Sequence, residues 1–245
     1  MNKIAIQLYG YLRTYEKTIN SFFTKLVYVY ESNGIDVDIF IHTWNYQDSD
    51  KLKNSDLNQI ISVYNPKLII IEEQKNKFKN KNIDVLINNK TRKVYDIYNL
   101  FHSIYSVNRL RNKYEKDNKF KYDWIIQTRF DLYFNTDFFI YDFLNVYYKN
   151  CLKFNKNSIF YAKTPYNRTN IDDELFLLNS DLIYFADSIT MNKATSLLKN
   201  FDLVFKNKYI STEWFIFNHW IKNHLKPIGI NFTFDKDFYI LKNKN

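Results

Sequence analysis

The sequence predicts an α/β fold with a mainly parallel central sheet flanked by helices. Two observations carry this prediction. Apolar runs of strand length alternate with stretches of helical periodicity over the first 135 residues, an order typical of parallel sheets. In addition, 46% hydrophobic and 19% aromatic residues in a chain of 245 are enough for one sizeable core. The three glycines and three prolines exclude collagen-like and linker-rich classes.

The first part of the chain contains three strand-and-helix units in succession. Apolar or β-branched runs predict strands at residues 3–9, 37–43 and 66–72. Apolar residues at helical spacing predict helices at residues 15–33 and 57–64, and Gly34 ends the first of them. The polar segment 46–58 is predicted to be a loop. Three such units favour a parallel sheet.

The rest of the chain is predicted to be more mixed. The Lys- and Asn-rich segment 75–93 is expected to be a solvated loop. Helices are predicted at residues 95–115, 182–201 and 212–224. Strands are predicted at residues 158–162, 228–234 and 238–241, and a strand core at residues 124–126 runs directly into the charged pair Arg129 and Asp131. Because no linker or repeat divides the chain, we expect one domain over residues 1–245.

The formal net charge of +9 favours anionic partners. Most of the excess is Lys, which accompanies abundant Asn, Ile, Tyr and Phe. Codons for all these residues are AT-rich, so the charge reflects composition bias and no nucleic-acid partner is expected. No apolar stretch is long enough to span a bilayer. Gln7 and Arg13 interrupt the N-terminal segment where a signal peptide needs apolar residues. These features predict a cytoplasmic protein, with electrostatic association at the inner membrane face left open.

Several familiar catalytic motifs are absent from the sequence. It has no GxGxxG, GxxxxGK[ST] or GxSxG pattern, which argues against dinucleotide oxidoreductases, P-loop NTPases and α/β-hydrolases. The sequence contains neither an HExxH pattern nor a cysteine cluster, so it gives no support for a zinc hydrolase.

Candidate ligand-binding residues lie at or just after the ends of predicted strands in three places. These residues are Gly10 with Arg13, His42 with Trp44, and Arg129 with Asp131. In a parallel sheet they converge on the carboxyl edge, where open α/β folds bind ligands. Cations, an aromatic ring and a carboxylate suit a nucleoside diphosphate bound to a sugar, with Mg²⁺ or Mn²⁺ as the counter-ion.

Three segments resemble one family of proteins. Lys3-Ile-Ala-Ile-Gln-Leu-Tyr-Gly-Tyr-Leu-Arg, Val37-Asp-Ile-Phe-Ile-His-Thr-Trp-Asn and Tyr122-Asp-Trp-Ile-Ile-Gln-Thr-Arg-Phe-Asp-Leu contain G-x-x-R, D-[IV]-F-x-H-T-W and R-x-D in that order. They are similar to glycosyltransferase-like proteins of bacterial and viral surface-polysaccharide (capsule and lipopolysaccharide) loci. The resemblance is good over about residues 3–135 and loose at residues 172–176 and 212–217. It implies a GT-A fold, a nucleotide-sugar donor, and Asp131 in place of the metal-binding carboxylate of a DxD motif. It also implies a nucleotide-sugar-binding half at residues 1–135 and an acceptor-side half at residues 136–245.

The motif departs from DxD at its first position, where Arg129 replaces a carboxylate. A guanidinium can itself neutralise a diphosphate through two hydrogen bonds, so transfer without a metal stays open beside Mn²⁺ or Mg²⁺ dependence. A structural ion pair between Arg129 and Asp131, which share one strand face, is the alternative to both. His42 and Trp44 can likewise be ordinary core residues.

An inverting transfer needs a carboxylate base to take the proton of the acceptor hydroxyl. Asp173 is the first candidate, with Asp172 and Glu213 as rivals. Each has a structural alternative, because acidic residues near a helix start stabilise the helix dipole.

The predicted function is transfer of a sugar from a nucleotide-sugar donor to a surface glycan or a lipid-linked glycan. Two alternatives remain: a nucleotidyl- or phosphoryl-group transferase acting on sugars, and a non-enzymatic polysaccharide- or RNA-binding module.

Overall fold

The computed structural model describes residues 3–47, 50–51, 54–85, 90–150, 157–163, 181–202 and 211–241. Thirteen strands are defined in these residues: β1 Lys3–Gly10, β2 Asp36–Trp44, β3 Tyr46–Gln47, β4 Asp50–Lys51, β5 Leu68–Glu72, β6 Asn82–Val85, β7 Lys90–Lys93, β8 Trp124–Arg129, β9 Leu132–Phe134, β10 Ser158–Lys163, β11 Tyr184–Ala186, β12 Lys226–Thr233 and β13 Phe238–Ile240. Seven of them form one sheet.

The sheet has the strand order β12-β10-β11-β8-β1-β2-β5. Strands β8, β1, β2 and β5 are parallel neighbours, and β10 is parallel to β12. The short β11 is antiparallel to both of its neighbours, β8 and β10. The predicted α/β class with a mainly parallel central sheet is therefore confirmed.

Helices cover both faces of this sheet. They are α1 Tyr15–Phe22, α2 Tyr28–Glu31, α3 Asn54–Tyr64, α4 Val94–Asp117, α5 Ile140–Asn150, α6 Ser188–Ala194 and α7 Thr212–Lys222, with a π-helical turn at Phe23–Val27 and a 3₁₀ turn at Leu197–Asn200. One apolar cluster lies against α1, α2 and α5, and the other against α4, α6 and α7. No helix in the described part of the chain has both the length and the apolar character of a membrane span.

Three predicted elements differ from the structure. Residues 182–201, expected to be helical throughout, contain α6 and the 3₁₀ turn, but Tyr184–Ala186 forms β11, because this wholly buried run completes the ladder between β8 and β10. The expected loop at residues 75–93 contains the antiparallel hairpin of β6 and β7. The expected loop at residues 46–58 contains the antiparallel pair of β3 and β4 and the first turn of α3. In each segment strand pairing overrides a local pattern that is ambiguous by itself.

A buried ion pair on α4 is hydrogen-bonded to α6. Arg111 and Glu115 are both fully buried, and Nη1 of the arginine lies 2.7 Å from Oε2 of the glutamate. Ser188 and Asn192 of α6 also bond to Arg111, at 2.8 Å each. This network fixes the long helix α4, whose N-terminal half borders the site described next.

Candidate functional site

The carboxyl ends of β1, β2 and β8 meet at one edge of the sheet. Tyr9 is in register with His42 on one side and with Arg129 on the other. At the next position Gly10 has a φ of +96°, a conformation that side chains disfavour, and the chain leaves the sheet there. The hydroxyl of Thr43 donates to the Gly10 carbonyl at 2.9 Å. The three sequence clusters therefore lie side by side.

A cleft of about 460 Å³ opens at this edge. Its lining residues are Tyr9, Gly10, Tyr11, Arg13, Trp44, Gln74, Arg92, Asp96, Asn99, Leu100 and Arg129. Four of the residues predicted to bind the ligand are among them, namely Gly10, Arg13, Trp44 and Arg129. Trp44 is only 1% exposed, so its ring serves more as a wall than as an open stacking surface. The lining also includes Arg13, Arg92 and Arg129, so three guanidinium groups border one cleft.

Asp131 lies between two of these guanidiniums. Arg129 donates from Nε to Oδ1 at 2.8 Å and from Nη2 to Oδ2 at 2.5 Å, a two-point pairing. Arg13 donates from Nη1 to Oδ2 at 3.3 Å. The Asp131 side chain is 2% exposed, whereas those of Arg129 and Arg13 are 21% and 37% exposed. The carboxylate is therefore buried beneath two arginines that reach the cleft.

The electrostatic balance keeps Arg129 charged. Burial acts to lower the pKa of Arg129, but the charge of Asp131 and its hydrogen bonds outweigh burial, and the pKa is raised above its ordinary value. Because Asp131 accepts hydrogen bonds on both oxygens, a Mn²⁺ or Mg²⁺ ion there has to compete with guanidinium N–H groups. A hard cation prefers oxygen ligands and is repelled by arginine. This donor set does not fit the expected ion well, and the ion at Asp131 stays a prediction.

His42 belongs to a separate cluster behind Trp44, which we call the histidine–glutamate cluster and which comprises His42, Glu72 and His102. His42 Nε2 lies 2.9 Å and His102 Nε2 lies 2.7 Å from Oε1 of Glu72. Lys75 Nζ pairs with Oε2 of the same carboxylate. The hydrogen bond from His42, followed by those from Lys75 and His102, outweighs burial and holds the pKa of Glu72 far below its usual range. Burial lowers the pKa of His42.

His42 was predicted to bind the ligand together with Gly10, Arg13, Trp44 and Arg129, but its side chain lies behind the cleft wall. His42 is fully buried and does not line the cleft. It reaches the cleft edge indirectly, because Ser103 Oγ lies 2.8 Å from His42 Nδ1 and accepts the Gly10 N–H at 2.8 Å. The ring of Trp44 lies 4.9 Å from that of His42, edge to face. His42 thus supports the strand end that shapes the cleft.

The acceptor-side candidates are only partly described. Asp172 and Asp173 lie outside the described residues. Glu213 lies in the first turn of α7, where Ser211 Oγ caps the helix by accepting the Trp214 N–H. Sequence reasoning missed Asp181, which is buried near Glu213 and Arg129. Burial, followed by the charge of Glu213, raises the pKa of Asp181 to about 7.

Arg92, Glu72 and His102 were also missed. Arg92 lies within the segment 75–93 that is predicted to be a loop, and its position on β7 directly before α4 brings it to the cleft. Glu72 ends a predicted strand, which is the same signal that singled out Asp131. For His102 the signal was weaker, since it is one polar residue on a long helix.

Comparison with known proteins yields a family match and a distant structural likeness. No curated protein matches the sequence. The apo-form glycosyltransferase GlyE of Streptococcus pneumoniae TIGR4 is similar in structure, with 12% identity and a TM-score of 0.47 over 93% of this chain and 45% of that one. The present chain therefore spans less than half the length of that structure. The family described as "Domain of unknown function (DUF7796)" matches residues 1–152. Since this match covers more than half of the 245 residues, the chain belongs to that family.

Proposed function

We propose that the protein is a glycosyltransferase that binds the diphosphate of a nucleotide-sugar donor in the cleft at the carboxyl edge of the sheet. The observation that carries this proposal is the group of three arginines, Arg13, Arg92 and Arg129, around one cleft at that edge. Open α/β sheets bind ligands at this edge. A diphosphate needs concentrated positive charge and planar hydrogen-bond donors, and guanidinium groups supply both.

The arrangement of Arg129 and Asp131 supports a role in binding rather than in surface pairing. Nε and Nη2 of Arg129 are held by Asp131, so Nη1 is the guanidinium nitrogen not engaged with that carboxylate. A guanidinium fixed in this way loses little rotational freedom when it binds a phosphate oxygen. Asp131 also holds Arg13. In this proposal Asp131 positions the two arginines that contact the diphosphate.

The proposed chemistry is displacement at the anomeric carbon of the donor sugar. A hydroxyl oxygen of the acceptor forms the new bond to that carbon, and the bond to the diphosphate oxygen breaks with its electron pair. The arginines stabilise the negative charge that grows on the departing diphosphate. The hydroxyl proton goes to a carboxylate, for which Asp173, Asp172 and Glu213 stay candidates. A surface glycan or a lipid-linked glycan as acceptor likewise stays a prediction.

Product analysis tests the proposal directly. The purified chain is incubated with a panel of nucleotide sugars, with and without Mn²⁺, in the presence of oligosaccharide acceptors, and the nucleotide products are separated by chromatography. We expect release of a nucleoside diphosphate. Release of pyrophosphate or a nucleoside monophosphate would instead identify a nucleotidyl- or phosphoryl-group transferase.

A binding measurement complements the activity assay, because the acceptor is unknown. A ligand that binds only the folded state raises the melting temperature of the protein. We expect stabilisation by uridine or guanosine diphosphate and much less by the corresponding nucleosides, since the arginines recognise the phosphates. Equal effects of diphosphate and nucleoside would contradict the proposed site.

A further inference from the structure

The histidine–glutamate cluster has the composition of a transition-metal site. It offers two imidazole nitrogens and one carboxylate oxygen, and these three atoms lie within 4.8 Å of one another. Zinc sites with three protein ligands use the same set of two His and one Glu. We infer that His42, Glu72 and His102 bind one Zn²⁺ ion. This inference does not rest on the proposed function, since the cluster is separate from Asp131 and from the three cleft arginines.

Regular secondary structure holds each of the three ligands. His42 lies on β2, Glu72 is the last residue of β5, and the two strands are paired so that Glu72 is in register with Trp44. His102 lies on α4, which packs against both strands. Ligands on rigid elements lose little conformational entropy when they bind an ion. The site is therefore assembled by the fold before any metal arrives.

Zinc binding would require only a small movement of the three ligand atoms. Tetrahedral zinc with ligands at about 2.1 Å separates neighbouring ligand atoms by about 3.4 Å. Here both histidine nitrogens lie closer to Oε1 of Glu72, at 2.9 and 2.7 Å, because hydrogen bonds join them. Replacing the hydrogen-bonding protons by an ion requires the nitrogen and oxygen atoms to move apart by about 0.5 Å for His42 and about 0.7 Å for His102. Glu72 and His102 have side chains 26% and 17% exposed, so the movement is on the accessible side of the cluster.

Neighbouring groups already orient two of the ligands. Ser103 Oγ lies 2.8 Å from Nδ1 of His42, which leaves Nε2 directed at Glu72. In metal-binding histidines the second nitrogen donates a hydrogen bond, so zinc at Nε2 places the proton of His42 on Nδ1, which then donates to Ser103 Oγ. Lys75 pairs with Oε2 of Glu72, whereas both histidines approach Oε1. The oxygen assigned to the ion is thus the one that Lys75 does not use.

The ligand types select among ions. Imidazole nitrogens suit Zn²⁺, whereas Mg²⁺ and Mn²⁺ prefer sites made of oxygen ligands. Three protein ligands also leave a fourth zinc position for water or another ligand. The bound ion would join the ends of β2 and β5 to α4, directly behind Trp44 in the cleft wall.

Zinc binding by the full chain tests the inference. The protein is stripped with a chelator, exchanged into metal-free buffer and titrated with zinc chloride against a chromophoric zinc chelator. We expect one tightly bound zinc per chain and a rise in melting temperature with Zn²⁺ that Mg²⁺ does not produce. The decisive variants are Glu72→Gln and His102→Asn, at partly exposed positions where folding is expected to survive. Since loss of an outer partner alone weakens metal sites by about 10- to 100-fold, loss of a ligand should weaken zinc binding by at least about 100-fold.

Two matched controls separate this site from adventitious binding. Glu73→Gln makes the same change at the adjacent exposed position, and His224→Asn makes the same change at an exposed histidine. Both should bind zinc as the wild type does. The inference is overturned if the wild type retains no zinc, if Glu72→Gln and His102→Asn bind as tightly as the wild type, or if the controls weaken binding equally. Circular dichroism of each variant ensures that the comparison is made between folded proteins.

Discussion

Arg129 provides the sharpest test of the proposed site, through the substitution Arg129→Lys. The change keeps one positive charge but removes the planar arrangement that places Nε and Nη2 on the two oxygens of Asp131, at 2.8 and 2.5 Å. A lysine ammonium cannot hold both Asp131 and a phosphate in this geometry. Loss of a charge-assisted hydrogen bond costs about 1 to 3 kcal/mol, so the Kd for uridine diphosphate should rise by about 5- to 150-fold.

Isothermal titration calorimetry with uridine diphosphate, with and without Mn²⁺, measures this effect. We expect a clear loss of affinity with the metal and a larger one without it, because the guanidinium then carries the diphosphate charge unaided. Arg109→Lys is the matched control, since Arg109 is exposed on α4 about 15 Å of helix beyond Asn99 in the cleft. If Arg129→Lys lowers the free energy of unfolding but leaves the Kd unchanged under both conditions, Arg129 serves only to pair with Asp131.

Three further predictions concern carboxylates. Asp131→Asn should weaken uridine diphosphate binding, because the amide no longer holds the guanidiniums of Arg129 and Arg13 in place; calorimetry showing the same Kd in the variant and the wild type would refute this positioning role. Glu115→Gln should lower the free energy of unfolding in urea by about 3 to 5 kcal/mol, because it leaves Arg111 buried without its anionic partner. Asp117→Asn, the corresponding change at an exposed carboxylate, should lower the free energy of unfolding by less than about 1 kcal/mol. Equal losses in the two variants would contradict the role assigned to Glu115. Burial and then Glu213 raise the pKa of Asp181 to about 7, so the folded state keeps a proton that the unfolded state releases, and this group should lower stability as pH rises from about 4 to about 7. Urea unfolding across this range should show a weaker decline in Asp181→Asn than in the wild type; identical slopes would refute the assignment.

The parallel half of the sheet could be predicted because its strands have strong local signals. These strands, Lys3–Gly10, Asp36–Trp44 and Trp124–Arg129, have apolar centres and end in Gly10, His42-Thr43-Trp44 and Arg129. Parallel pairing then places these ends together. Strand β11 had no such signal. Its three residues continue an apolar stretch that fits either a helix or a strand, and only pairing with β8 and β10 decides between them.

The site residues at strand ends could be predicted from the sequence, whereas the site residue on a helix, His102, could not. Arg129 and Asp131 are two residues apart, so their pairing could be anticipated as one alternative. Glu72 and His102 are 30 residues apart, and their contact depends on how α4 rotates over the ends of β2 and β5. No local sequence pattern specifies how α4 is rotated over these strand ends. The histidine–glutamate cluster therefore emerged only from the three-dimensional arrangement.

The arginines are more informative than the net charge about where an anion binds. Among the 35 Lys and Arg residues only six are arginine: Arg13, Arg92, Arg109, Arg111, Arg129 and Arg168. AT-rich codons explain the lysines but not the placement of these few arginines. Three line the cleft, and a fourth, Arg111, is buried in the network that fixes α4. Lysine would supply the same charge at each position but not the planar set of donors, so the chain uses arginine where the geometry of hydrogen bonding matters. The concentration of half of the arginines at one edge of the sheet is thus better explained by recognition of a phosphate-bearing ligand than by composition.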